Sequence, residues 1–288
     1  MSQGQKIIIG CMSWGAWGKK LNTSEQAELI EFCVGEGNTT FDHADIYGDY
    51  TTEDEFGKAL IGSGIARDKI ELITKCGIQY KGQTRDNRIK HYDLSKDYVI
   101  RSAEQSMKKL QTDYLDTFLI HRPSPLMHPD ELGEAAEHLL QSGKIRAFGV
   151  SNFTPSQLSM ISSRITVSTN QIEFSLTEHS AMYNGTFDLM IKKGIKAMSW
   201  SPLGSFFKEE NELRSRIKEC LASLCEKYHQ PEEVLLLAWI LKHPAKVSPV
   251  IGTTNPNRIK NANGALEINL DLEDWFFLLE ASQGHKVP

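Results

Sequence analysis

"KIIIGCMSWGAWG", residues 6–18, is the stretch on which the fold turns. Ile7, Ile8 and Ile9 read as a short buried strand, and the loop after a first strand separates two architectures. A doubly wound sheet that binds a dinucleotide places Gly-x-Gly-x-x-Gly directly after that strand, so that the backbone can approach a pyrophosphate. Here the glycines fall at Gly10, Gly15 and Gly18, a spacing that does not match. The open sheet loses its main signature.

Outward from this stretch the chain alternates. Apolar runs of strand length recur at "TTFDHA", "KIELITKC", "YLDTFLIH", "KIRAFGVS", "TVSTNQIE", "IKAMSWS" and "KVSPVIGT", which with the first make eight. Between them lie amphipathic segments. "TSEQAELIEFCVGEG" sets Thr23 and Gln26 at capping-box spacing and repeats apolar residues at Leu29, Ile30, Cys33 and Val34. "SKDYVIRSAEQSMKKL" puts Ile100, Ala103, Met107 and Leu110 on one helical face, and "PDELGEAAEHLLQSGK" does so with Leu132, Ala136, Leu139 and Leu140. In "TPSQLSMI", Thr154 caps a helix, Pro155 takes its first position and Gln157 completes the box. Eight strands alternating with helices over 288 residues predict a (β/α)8 TIM barrel, one domain spanning residues 1–288.

The balance of 32 basic and 37 acidic residues, net −5, forms no long run of either sign, so no nucleic-acid partner is expected. The opening "MSQGQKIIIG" has too short an apolar core for a signal peptide, and no stretch approaches the ~18 apolar residues of a membrane span. The expectation is a cytoplasmic protein without a membrane partner. Cys11, Cys33, Cys76, Cys220 and Cys225 are odd in number and lack CxxC spacing, which reads as free thiols and no metal site.

In a barrel of this kind, chemistry sits at the C-terminal ends of the strands. Asp42 and Tyr47 stand at the end of the second, in "FDHADIYGDY"; Lys75 ends the third, in "ITKCG"; His121 ends the fourth, in "FLIHRP". Each alone has an ordinary explanation as a solvated or packed side chain. Together they make a donor set. A phenol is too weak an acid near neutrality unless a cation favours its phenolate; Lys75 supplies that cation, Asp42 holds it charged, and His121 orients a substrate oxygen. Such a set suits proton donation to an oxygen that turns negative as a carbonyl accepts a hydride. After the eighth strand, "VIGTTNPNR" lets Asn255 cap a helix with Pro256 at its first position, which places Arg258 in the first turn. The helix dipole disfavours a cation there, so Arg258 is better explained by an anion at the helix N-terminus.

The motifs "TFDHADIYG", "ITKCG", "DYLDTFLIHRP", "GKIRAFGVSNF", "TNQIEFS", "MSWSPLG" and "VIGTTNPNRIKNA" come in the order and spacing of the aldo-keto reductase superfamily, which the chain resembles over nearly its whole length. "IKHYDLSKDYVIRSAEQS", "HRPSPLM" and the "VP" terminus are most similar to its bacterial YdhF-type subgroup. The resemblance implies a (β/α)8 barrel using NADPH/NADP+ without a Rossmann domain, with the family's tetrad on Asp42, Tyr47, Lys75 and His121. It also implies that Ser151, Asn152 and Gln171 hydrogen-bond the nicotinamide carboxamide and that Trp200 stacks on the ring. Ser201, Leu203 and Ser205 would cover the pyrophosphate, with Gly252, Thr253 and Arg258 at the phosphate end. A small-molecule carbonyl is the expected substrate, and a monomer is the commoner state among relatives.

Two regions depart from the common pattern. The crossing "GIQYKGQTRDNRIKHYDLSKD" after Lys75 is long enough to serve as a substrate wall, while the C-terminal "LEDWFFLLEASQGHKVP" reads as a helix and tail that leave the pocket open. Trp14 and Trp17 are candidate apolar walls. Two other functions compete with a reductase: a lyase forming a Schiff base through Lys75, and a regulatory protein like the potassium-channel β-subunits, which retains the cofactor site to serve a partner.

Overall fold

The computed structural model describes residues 5–288, and its centre is a closed barrel of eight parallel strands. In chain order they are β1 (Ile8–Gly10), β2 (Thr40–Asp42), β3 (Glu71–Cys76), β4 (Thr117–Ile120), β5 (Phe148–Ser151), β6 (Thr169–Glu173), β7 (Lys196–Trp200) and β8 (Ser248–Ile251). Each pairs with its sequence neighbours, and β8 closes on β1 through Ile8 opposite Val250. All eight expected strands are present. Around them run α1 (Thr23–Gly35), α2 (Thr52–Ser63), α3 (Lys96–Lys109), α4 (Pro129–Gln141), α5 (Pro155–Ser162) and α6 (Thr186–Lys193). After β7 come α7 (Glu212–Tyr228) and α8 (Glu232–Leu241), and after β8 come α9 (Pro256–Gly264) and α10 (Leu272–Gln283).

Two cores arise from the alternation of side chains along a strand. Ile8, Ile73, Leu119, Met198 and Val250 fill the barrel interior, while Ile9, Phe41, Leu72, Phe118 and Phe148 face outward into a larger core beneath the helices. At ~1.5–3 kcal/mol for each large side chain buried, these layers supply the main stabilisation of the barrel. They also place the site. Two residues beyond an inward apolar side chain the chain faces inward again at the C-terminal rim, so Ile73 leads to Lys75, Leu119 to His121, Met198 to Trp200 and Val250 to Gly252. Gly149 belongs to the same interior layer, where a Cβ would sit 2.6 Å from Leu119 and 2.8 Å from the Thr169 carbonyl.

Most helix signals fall where the residues put them. Thr154 and Gln157 form the box that opens α5, and Asn255 caps α9 by accepting from the Arg258 N–H at 3.2 Å. The start of α1 differs by one residue: the cap is Asn22, which accepts from the Glu25 N–H at 3.0 Å while Glu25 accepts from the Asn22 N–H at 2.8 Å. Two overlapping boxes compete there. Gln26 cannot serve as a partner for Thr23, because it is buried and donates to the Leu21 carbonyl. The crossing after β3 forms a small antiparallel hairpin, Ile78–Gln79 against His91–Tyr92. The C-terminal segment is a helix and a short tail, as its sequence predicts. Cys11, Cys33, Cys76 and Cys220 are buried, Cys225 is partly so, and all five are free. Among the described residues, no helix is long and apolar enough to cross a membrane.

Candidate active site

The rim of β2 and β3 brings three of the four candidates into direct contact. Lys75, wholly buried, donates from Nζ to Asp42 Oδ2 at 2.7 Å, to the His43 carbonyl at 2.7 Å and to the Tyr47 hydroxyl at 3.3 Å. Three acceptors saturate an ammonium. Asp42 is equally engaged, since Gln171 Nε2 donates to its other oxygen, Oδ1, at 2.9 Å. His121 completes the group, its ring edge-on to Tyr47 with centroids 6.0 Å apart.

Burial and charge pull against each other here. Desolvation alone would lower the Lys75 pKa, but the Asp42 carboxylate and the Tyr47 oxygen more than reverse it and hold the ammonium above its usual range. Burial pushes the Tyr47 phenol up and Lys75 pulls it only part of the way back, so its pKa stays raised. This corrects the expectation that the cation would bring the phenol toward neutrality. Tyr47 rests as a neutral O–H. Burial, with Lys75 and Arg122 nearby, holds His121 well below its usual range, so the imidazole is uncharged. Its Nδ1 is buried without a hydrogen-bond partner among the described residues. A proton assigned to Nε2 leaves only a lone pair unsatisfied there and aims an N–H at the mouth.

The residues expected at the cofactor form a linked row across the same rim, from Gln171 to Trp200. Asn152, at φ 62°, donates from Nδ2 to Ser151 Oγ at 2.8 Å and accepts at Oδ1 from the Trp200 indole N–H at 2.9 Å. Ser151 Oγ donates to the Gln171 carbonyl at 2.9 Å. Neither Ser151 nor Asn152 caps α5, a role that belongs to Thr154. Gln171 turns its N–H to Asp42, so its amide direction is imposed by the carboxylate. The half-buried Trp200 carries the Arg122 guanidinium 5.4 Å above its ring.

Beyond Trp200, Ser201 lies at φ 49° and opens a turn in which its carbonyl accepts from Gly204. Leu203 and Ser205 are partly buried, and the Ser205 N–H donates to Thr177 Oγ1 at 3.0 Å. Gly204 is obligatory in this loop, because a Cβ would lie 1.9 Å from Thr177 Oγ1. Gly252 is exposed, with its carbonyl bound by Ser13 Oγ at 2.7 Å, and Thr253 Oγ1 accepts from the Asn255 N–H at 3.1 Å. Arg258 stands exposed in the first turn of α9, and no described carboxylate pairs with it. A free guanidinium beside a helix N-terminus fits a phosphate group, and an amide row beside an indole face fits a carboxamide ring. The donor set therefore suits a nicotinamide dinucleotide.

The two tryptophans part company. Trp14 is fully buried against Phe41 and Phe56, centroids 6.2 and 5.8 Å away, so it belongs to the core and cannot line a pocket. The chain turns after Cys11, and that turn points Trp14 inward. Trp17 is 38% exposed and packs against Tyr47 at 6.3 Å and Tyr80 of the hairpin at 5.2 Å, as a wall residue would. Sequence reasoning misses Tyr80 and Arg122, although the adjacency of Arg122 to His121 in "IHRP" is a usable signal. It also assigns no role to His43 and Asp45. His43 is buried with both ring nitrogens unpartnered among the described residues, and burial drops its pKa to about 3. Asp45 is buried and rises to about 7 through desolvation and the nearby Glu53.

The aldo/keto reductase family model matches residues 6–280. The chain is 41% identical to the uncharacterized oxidoreductase YcsN of Bacillus subtilis, over 99% of this chain and 97% of that one. It is 37% identical to the oxidoreductase YdhF of Escherichia coli, over 98% and 95% of the two chains. A 6-dehydroglucose reductase of Agrobacterium fabrum is 38% identical over 98% and 97%. With a closed (β/α)8 barrel, a family match over almost the whole length and full-length relatives named as oxidoreductases, the chain belongs to the aldo/keto reductase family.

Proposed function

We propose that the protein is an NADPH-dependent reductase of aldehyde and ketone carbonyls, in which Tyr47 is the general acid and Lys75, Asp42 and His121 serve it. The observation that carries this reading is the buried Lys75 ammonium bridging Asp42 Oδ2 and the Tyr47 hydroxyl. NADPH, when bound, supplies the hydride. Ser151, Asn152, Gln171 and Trp200 would hold its nicotinamide end; Ser201, Leu203, Ser205, Gly252, Thr253 and Arg258 would hold its phosphates.

Every other part belongs to the chain's own residues. The His121 N–H donates to the substrate oxygen and orients it beside Tyr47. As that oxygen turns negative, Tyr47 gives up its proton, and the phenolate left behind is stabilised by the Lys75 ammonium at hydrogen-bond distance. Asp42, fixed by both Lys75 and Gln171, keeps the ammonium charged and pointed. The same arrangement disfavours a Schiff-base lyase, because a protonated amine with three acceptors has no lone pair to offer a carbonyl.

NADPH oxidation, followed over aldehydes, ketones, dicarbonyls and quinones, tests the proposal. The relative named as a 6-dehydroglucose reductase puts a sugar aldehyde on the panel. Turnover of at least one class supports a reductase. Tight NADPH binding with negligible turnover of all of them would instead favour the regulatory reading.

A further inference from the structure

Immediately after Tyr47 the backbone does something that side chains resist. Gly48, Asp49 and Tyr50 adopt φ 61°, 58° and 70°, three successive residues in the left-handed region. Glycine accepts that conformation freely and Asp tolerates it, but a tyrosine there is strained, and such a turn persists only where its surroundings impose it.

The surroundings that impose it come from the hairpin after β3. The Asp49 carboxylate accepts from the N–H groups of Gln83 at 2.6 Å and Thr84 at 3.2 Å, and from the Thr84 hydroxyl at 3.1 Å. The Tyr50 hydroxyl donates to the Ile78 carbonyl at 3.2 Å and accepts from the Tyr80 N–H at 2.9 Å. Arg85 lays its guanidinium 3.7 Å over the Tyr50 ring. Gly82 is required for the approach, since a Cβ there would sit 1.9 Å from Asp49 Oδ1. On the other side of the turn, Tyr80 packs on Trp17, and Trp17 on Tyr47. The hairpin thus grips the Tyr47 turn both through Asp49 and Tyr50 and through the rings that flank it.

We propose that Asp49 and Tyr50 are positioning residues, which clasp the hairpin and so hold the left-handed turn that sets the Tyr47 phenol against Lys75 and His121. Its catalytic consequence rests on the reading of Tyr47 as the proton donor. Asp49→Gly isolates the clasp, because glycine is at ease at φ 58° and only the carboxylate is lost. Gly82→Ala attacks the same contact from the hairpin. Asp49→Asn keeps an acceptor oxygen and tolerates the backbone, so it is the rescue variant.

Hydrogen exchange tests the clasp without any substrate. Amides of residues 78–92 and 47–51 should exchange about tenfold faster or more in Asp49→Gly and Gly82→Ala, and return toward wild type in Asp49→Asn. A loosened hairpin with an unchanged 47–51 turn would overturn the proposal. With NADPH and 4-nitrobenzaldehyde, kcat should fall by about tenfold or more in the two disruptive variants while the Kd for NADPH stays within about twofold, because misplacement of a proton donor costs rate and leaves cofactor contacts intact. Unchanged kcat would overturn the positioning role. Should the wild type turn over no carbonyl, the reductase reading falls, and the exchange measurement still decides the clasp.

Discussion

Replacing Lys75 with Met removes one half of a buried ion pair whose side chains are 0% and 4% exposed. The Asp42 carboxylate is then left with a single charge-neutral partner, the Gln171 N–H at 2.9 Å. Breaking a buried pair in this way costs about 3–5 kcal/mol, mostly the desolvation of the charge that remains. At roughly 2 °C per kcal/mol for a chain of this size, the Tm should drop by about 6–10 °C. Urea unfolding monitored by tryptophan fluorescence reads this loss directly. The double variant Lys75→Met/Asp42→Asn, which removes the stranded charge, should recover part of it. A gap between Lys75→Met and wild type below about 1 kcal/mol, or a double variant no more stable than Lys75→Met, would refute the reasoning.

Burial of Asp45 gives the wild type a pH-dependent stability. Its folded pKa of about 7, set by burial and Glu53 against Arg85 and Ser102, means that the folded protein holds a proton there which the unfolded chain releases near ~3.9; stability therefore falls between about pH 4 and pH 7. Asp45→Asn should flatten that decline and stabilise the protein by about 1–3 kcal/mol at pH 8 relative to pH 5, and parallel pH curves for the two proteins would count against it. Arg258 tests the cofactor. Arg258→Ala should weaken NADPH by about 1.5–3 kcal/mol, the scale of a charged hydrogen bond, and leave NADH nearly untouched in fluorescence titrations; equal losses would mean that the guanidinium supports the loop instead of reading the 2′-phosphate.

The barrel is legible because each strand is an apolar run that ends in a turn, and an inward side chain at the rim differs in kind from those below it. Lys75 and His121 announce themselves by that contrast, two residues after Ile73 and Leu119. Helix starts are legible where one box is available, as at Thr154, and ambiguous where Asn22 and Thr23 offer two. What the sequence hides is direction beyond a strand end. Nothing local says that Trp14 turns into the core while Trp17, three residues on, meets Tyr47. Long-range pairings are hidden too: Gln171 reaches Asp42 across 129 residues, and Asp49 meets Thr84 in a crossing that pattern alone marks only as long. The sign of the Tyr47 shift escapes sequence reasoning for a related reason. A neighbouring cation is readable from motifs, whereas the depth of burial that outweighs it is a property of the assembled rim.

The central claim is that Tyr47 delivers the proton, and its hydroxyl is the one atom group that can be removed while the ring contacts with Trp17 and His121 stay. Single-turnover reduction of an aldehyde by pre-bound NADPH, compared between wild type and Tyr47→Phe, measures that step without product release. The rate should be lower by ~10²–10⁴-fold in the variant with NADPH binding unchanged, and a variant that reduces the aldehyde at the wild-type rate would rule Tyr47 out as the proton donor.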